Sequence, residues 1–131
     1  EARGLQREYL DKITDELVQT FTNTVEANGA QVEVEIKFLY PEMKLDPAEE
    51  VVELAIAAAQ SIGLAPQLVS TGGGSDASMV NGAGIRCANL ATGMNSVHTT
   101  DEYILVKDLV DDARLVLAII EQAGRKWTQV V

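Results

Sequence analysis

The chain has 131 residues, 47% of them hydrophobic, with ten lysines and arginines against twenty aspartates and glutamates, for a net charge of −10. That balance describes one compact acidic domain and excludes the clustered basic surface that nucleic acid or anionic lipid requires. A lone cysteine, Cys87, and a lone histidine, His98, exclude an internal disulfide framework and a zinc finger, and fit a reducing cytoplasm.

From Leu5 the apolar residues Tyr9, Leu10, Ile13, Leu17, Phe21 and Val25 recur at spacings of three and four, which predicts one long amphipathic helix. Asn28-Gly29 supplies its stop signal. Val32, Val34, Ile36 and Phe38 then alternate with polar residues at period two and predict a strand with one buried face. The stretch from Leu39 to Pro47 holds two prolines and a tyrosine without periodicity, so it reads as a connection and a domain boundary.

Asp46-Pro47 followed by Ala48-Glu49-Glu50 has the pattern of a helix start, and the apolar run from Val51 to Ile62 predicts a largely buried helix ended by Gly63. Glu49 and Glu50 read there as surface acids matched to the helix dipole. A short apolar piece, Gln67 to Ser70, leads into a glycine-rich turn and a brief helix from Ala77 to Val80, closed by Asn81-Gly82. Ile85 to Ala91 reads as a strand covered on both faces, which makes Cys87 a small core residue.

The last element, Val106 to Ala123, is a second long amphipathic helix ended by Gly124, with Asp108, Asp111 and Asp112 on a solvated face and Trp127 packing a terminus or an interface. Its longest apolar run, Leu115 to Ile120, is far short of the roughly 18 to 20 residues that span a membrane. Alternation of strands and helices from Leu45 onward predicts an α/β layered core. The chain starts Glu1-Ala2-Arg3 without an initiator methionine, which raises the expectation of a piece of something longer.

Two places could carry chemistry. In Thr71-Gly72-Gly73-Gly74-Ser75-Asp76-Ala77, adjacent glycines can turn backbone N–H groups toward an anion, or simply make a tight turn with Ser75 or Asp76 as a helix cap. The dinucleotide fingerprint is met only loosely: the next strand lacks an acid for a ribose, and the lysine of a triphosphate loop is absent. His98 lies in the polar loop Asn95-Ser96-Val97-His98-Thr99-Thr100-Asp101-Glu102, either as a solvated side chain or as a metal ligand beside carboxylates and hydroxyls. One ligand does not make a site.

The ordered strings TGGGSDA from Thr71, NGAGIRCANLATG from Asn81 and NSVHTTDEY from Asn95 resemble the dinuclear zinc peptidases related to peptidase T, aminoacylase and succinyl-diaminopimelate desuccinylase. The resemblance covers essentially the whole chain, departing at Arg86, where that family usually has proline. It implies an α/β fold: residues 1–40 as the second half of an α+β lid and dimerisation domain, and 41–131 as the C-terminal part of a catalytic domain with a mixed sheet flanked by helices. It also implies that His98 binds one of two zinc ions, that Arg3 holds the substrate's carboxylate, and that Gly73, Gly74 and Ser75 lie against the substrate backbone and that carboxylate. The family's remaining metal ligands lie in an N-terminal region these residues do not contain. The expectation is therefore the C-terminal portion of a cytoplasmic, homodimeric exopeptidase for short peptides, tripeptides above all, inactive on its own and with neither nucleic acid nor membrane as partner. The rival expectation is an anion- or peptide-binding module, or a lid and dimerisation piece, with no reaction at all.

Overall fold

The computed structural model describes residues 1–128, and of Trp127 only its backbone, so the role expected for that side chain lies outside the described residues. Four helices follow in chain order: α1 (Arg7–Ala27), α2 (Glu50–Ser61), α3 (Asp76–Gly82) and α4 (Val106–Thr128). They belong to two compact units, one formed by Glu1–Lys44 with Ser70–Arg86, the other by Leu45–Val69 with the chain from Cys87 onward.

In the first unit, α1 forms where the three-four periodicity places it. It ends as Asn28-Gly29 dictates: Gly29 N–H donates to the Glu26 carbonyl at 2.9 Å and Ala30 N–H to Val25 at 3.1 Å, the paired bonds of a Schellman cap. Near the start of α1, Arg7 is held by both Asp11 oxygens at 2.8 and 3.0 Å and lies 4.5 Å from the centre of the Phe38 ring. Helix α3 starts at Ser75, whose hydroxyl accepts from Ala77 N–H at 3.2 Å, and it buries Ala77 and Ser78. It runs on through Asn81-Gly82, the expected stop, and the left-handed residue is Gly84 instead, at φ +85°.

In the second unit, α2 and α4 pack against each other in opposite senses, as the ion pair between Glu50 at the start of α2 and Lys126 near the end of α4 shows, at 2.6 Å. That contact holds the Glu50 carboxyl below its usual range, first by the hydrogen bond and then by the lysine charge. Val52, Ala58 and Ala59 of α2 and Ala118 of α4 are buried there. Their small side chains let the two backbones come close.

Helix α2 begins later than Asp46-Pro47 suggests. Glu49 N–H donates to the Asp46 carbonyl at 2.9 Å, so Asp46-Pro47-Ala48-Glu49 closes as a β-turn. Asp46 caps that turn by accepting from Ala48 N–H at 2.9 Å, while the Glu49 carboxylate accepts from Asp46 N–H at 2.9 Å. Helix α4 likewise passes the expected stop at Gly124 and continues to Thr128, whose hydroxyl donates to the Gly124 carbonyl at 2.9 Å. A glycine inside a helix costs only about 1 kcal/mol relative to alanine, too little to end a helix otherwise well patterned.

The expected strands do not form a sheet among the described residues. Among the described residues the sole β-pairing is the antiparallel bridge between Asn95 and Tyr103. Residues 31–39 and 85–91 have the patterns of strands, but among the described residues neither lies in a β-ladder. The apolar alternation is accordingly left open, with Ile36 62% and Phe38 53% exposed, as is the stripe of α1 through Tyr9 and Phe21. No helix among the described residues is long and apolar enough to cross a membrane.

Candidate functional site

Arg3 sits in the extended segment before α1, exposed, with its Nε donating to the Glu1 carboxylate at 2.8 Å. That bond and the Glu1 charge raise its affinity for its proton above the ordinary arginine value, and the Tyr40 phenol contributes a smaller push in the same direction. Tyr40 is half-buried, and a Cβ built on Gly74 would collide with its hydroxyl oxygen. Gly74 is not in a left-handed conformation. Its lack of a side chain is what lets the phenol seat on the turn. The first unit therefore holds Tyr40 against Gly74, with Arg3 in the same unit.

Gly73 lies exposed in the same turn, and a Cβ there would meet only the Thr71 hydroxyl, at 4.0 Å. Ser75 spends a hydroxyl lone pair on capping α3, so of the two roles read from the triple glycine, cap and cradle, the cap is visible in its bonds. In the sequence Tyr40 reads only as part of a connection.

The contrast between neighbouring glycines gives a direct test. Gly72→Ala places its Cβ in open space and is expected to leave stability unchanged or raise it by up to about 1 kcal/mol. Gly74→Ala drives a methyl into the Tyr40 ring and is expected to lower it by about 1–3 kcal/mol. Chemical denaturation of the two variants measures the difference, and equal midpoints would count against the Tyr40 contact.

His98 belongs to the second unit, in a loop whose ends are joined by Asn95 N–H to Tyr103 carbonyl at 2.8 Å and Tyr103 N–H to Asn95 carbonyl at 3.2 Å. Within it the chain reverses sharply: Ser96 and His98 both hold positive φ, 51° and 65°. Such backbone is costly for residues with a Cβ, by about 1–3 kcal/mol each, and is kept only where surrounding bonds enforce it. They do so here. The Glu102 carboxylate accepts from His98 N–H at 2.8 Å, and Thr99 donates its hydroxyl to the Ser96 carbonyl at 2.7 Å while accepting from Asp101 N–H at 3.2 Å. Glu102 thus holds the backbone of His98, and among the described residues the exposed imidazole itself makes no hydrogen bond.

The loop is also seated at its base. Gly93, at φ +74°, receives the Asn95 amide on its carbonyl at 2.9 Å, and a Cβ there would stand 2.7 Å from Asp108 Cβ in the first turn of α4. Asp108 therefore packs the root of the histidine loop, a role its place among the helix acids did not show. The shallow groove of about 350 Å³ beside α2 and α4, lined by Ile62, Arg114, Leu117, Ala118 and Glu121, contains none of these residues.

No group of three or more histidine, cysteine, aspartate or glutamate side chains converges among the described residues. His98 fits as a single donor, with a free ring on a braced loop, and the other donors of a metal centre are not gathered around it. The profile of peptidase family M20/M25/M40 matches residues 4–122. The chain belongs to this family. Within M20 it resembles peptidase T: the enzyme of that name from Brevibacillus brevis is 29% identical over 114 residues, which cover 86% of this chain and 26% of that one. The protein YqjE of Bacillus subtilis is 38% identical over 125 residues, 95% of this chain and 34% of that protein. Among solved structures, aminopeptidase PepT from Bacillus cereus superposes with a TM-score of 0.77 at 39% identity, covering 91% of this chain and 32% of that one. A tripeptidase from Staphylococcus aureus gives a TM-score of 0.84 at 32% identity, covering 93% and 33%. The chain thus spans about a quarter to a third of the length of the M20 relatives it matches, and its likeness to these structures agrees with an α/β class.

Proposed function

We propose that these residues are the C-terminal portion of a zinc-dependent, peptidase T-like exopeptidase for short peptides, with tripeptides as the favoured substrates. The observation that carries the reading is Arg3 within electrostatic reach of Tyr40, which seats on the glycine-rich turn, in a member of a peptidase family. A guanidinium beside a turn of small residues suits the free carboxylate of a peptide, and binding at that end orients the scissile bond elsewhere in the substrate.

In this reading Arg3, Gly73, Gly74 and Ser75 grip the substrate end, and His98 donates one ring nitrogen to one of two zinc ions. Bound zinc would supply Lewis-acid polarisation of the scissile carbonyl. The chain's own part is positional: Glu102 fixes the backbone of His98, and Asp108 backs the root of its loop. Residues 1–40 would form half of a lid and dimerisation domain, and 41–131 the end of the catalytic domain. The strand-patterned segments, 31–39 and 85–91, would join sheets completed by the rest of the protein, which we place in the cytoplasm as a homodimer.

The test compares the full-length zinc-loaded protein with residues 1–131 alone in a tripeptide hydrolysis assay. The full-length protein is expected to release the N-terminal residue and the isolated portion to show no turnover. A full-length protein that holds zinc yet leaves tripeptides intact would overturn the reading.

A further inference from the structure

A lone guanidinium fixes a carboxylate's charge but leaves oxygen lone pairs to be satisfied by another donor. The first unit holds such a donor. Tyr40 is half-buried with its hydroxyl against Gly74, and among the described residues that O–H makes no hydrogen bond. The next residue is fixed as well: a Cβ on Gly82 would stand 2.5 Å from Pro41 Cγ, so Tyr40 and Pro41 are seated on glycines near the start and at the end of α3. The phenol is therefore held by packing while its oxygen is unspent. Arg3 lies in the same unit, within electrostatic reach of the phenol.

We propose that the Tyr40 hydroxyl is a second donor to the terminal carboxylate of the peptide substrate, acting beside Arg3 from its seat against Gly74. This rests on the reading of Arg3 as the carboxylate anchor and adds a residue to it. Tyr40 confers specificity for a free carboxylate over an amide or ester, because a phenol O–H donates to a charged oxygen more strongly than to a neutral one. It takes no part in bond breaking.

The experiment uses the full-length zinc-loaded protein, a tripeptide and its C-terminal amide. Tyr40→Phe keeps the ring against Gly74 and removes only the donor. It is expected to raise KM for the free tripeptide by about tenfold or more, in the range of one hydrogen bond to a charged group, with kcat retained and the amide unaffected. Unchanged KM values, or an equal rise for acid and amide, would overturn the proposal and leave Tyr40 as packing alone. Arg3→Ala, measured in parallel, separates the two readings. Selective loss on the free tripeptide in Arg3→Ala with none in Tyr40→Phe refutes Tyr40 and keeps the anchor. Selective loss in Tyr40→Phe with none in Arg3→Ala refutes the anchor and keeps Tyr40.

Discussion

His98→Ala in the full-length protein is expected to lose bound zinc and to lower tripeptide hydrolysis by more than about a hundredfold, since even outer partners of metal ligands cost 10–100-fold when removed. The local geometry makes this a clean substitution. The bonds that hold the loop use the His98 N–H, the Glu102 carboxylate and the Ser96 and Thr99 groups, none of which needs the imidazole. The ring can therefore be truncated without dissolving the turn that carries it. Alanine at φ +65° meets about the same backbone penalty as histidine, so stability should change little. Metal analysis and turnover are read on the same sample. Unchanged zinc content with unchanged turnover would remove His98 from the metal centre.

The helices were legible because each depends on short-range pattern. The spacing from Leu5 to Val25 placed α1, and Val106 placed the start of α4, since periodicity reports directly which side chains share a face. Ends were less legible. Pro47 suits the first turn of a helix and the second position of a β-turn equally well, and only the Glu49 to Asp46 hydrogen bond shows which form is taken. Gly124 looks like a stop until Thr128 is seen bonding back across it.

The strands failed for a different reason. The alternation from Val32 to Phe38 encodes a face to be covered, but a strand is completed by hydrogen bonds from a neighbour, which period two does not name. The same limit hid Tyr40. Gly74 carries no positive φ that a turn pattern would demand, and its need to be glycine is set by a ring 34 residues away in sequence. The glycine run marked the place, and the three-dimensional neighbour gives it a use. His98 stood out in sequence as the lone histidine of a polar loop, whereas the strain at Ser96 and His98 and the hold of Glu102 on the backbone needed coordinates.

Arg3→Ala should lower kcat/KM for tripeptides with a free terminal carboxylate by about 10–100-fold, the range of a hydrogen bond to a charged partner, and leave the corresponding amides within about twofold. Arg3 already engages a carboxylate, that of Glu1, through Nε at 2.8 Å, and its raised proton affinity shows that the pairing favours the charged guanidinium. A substrate carboxylate would have to displace Glu1 or share the fork with it. Glu1→Gln is therefore expected to act oppositely and lower KM for free tripeptides, because it removes a competing negative charge. Arg3→Lys keeps the positive charge but presents a point donor in place of a planar fork, so it should recover only part of the loss. An equal decline for acid and amide in Arg3→Ala would show that the residue supports the fold around Tyr40 and Gly74 rather than the substrate. Because Arg3 is exposed and makes its bond to a residue two positions away, its removal leaves no buried group unpaired. The split between acid and amide thus reports recognition of charge.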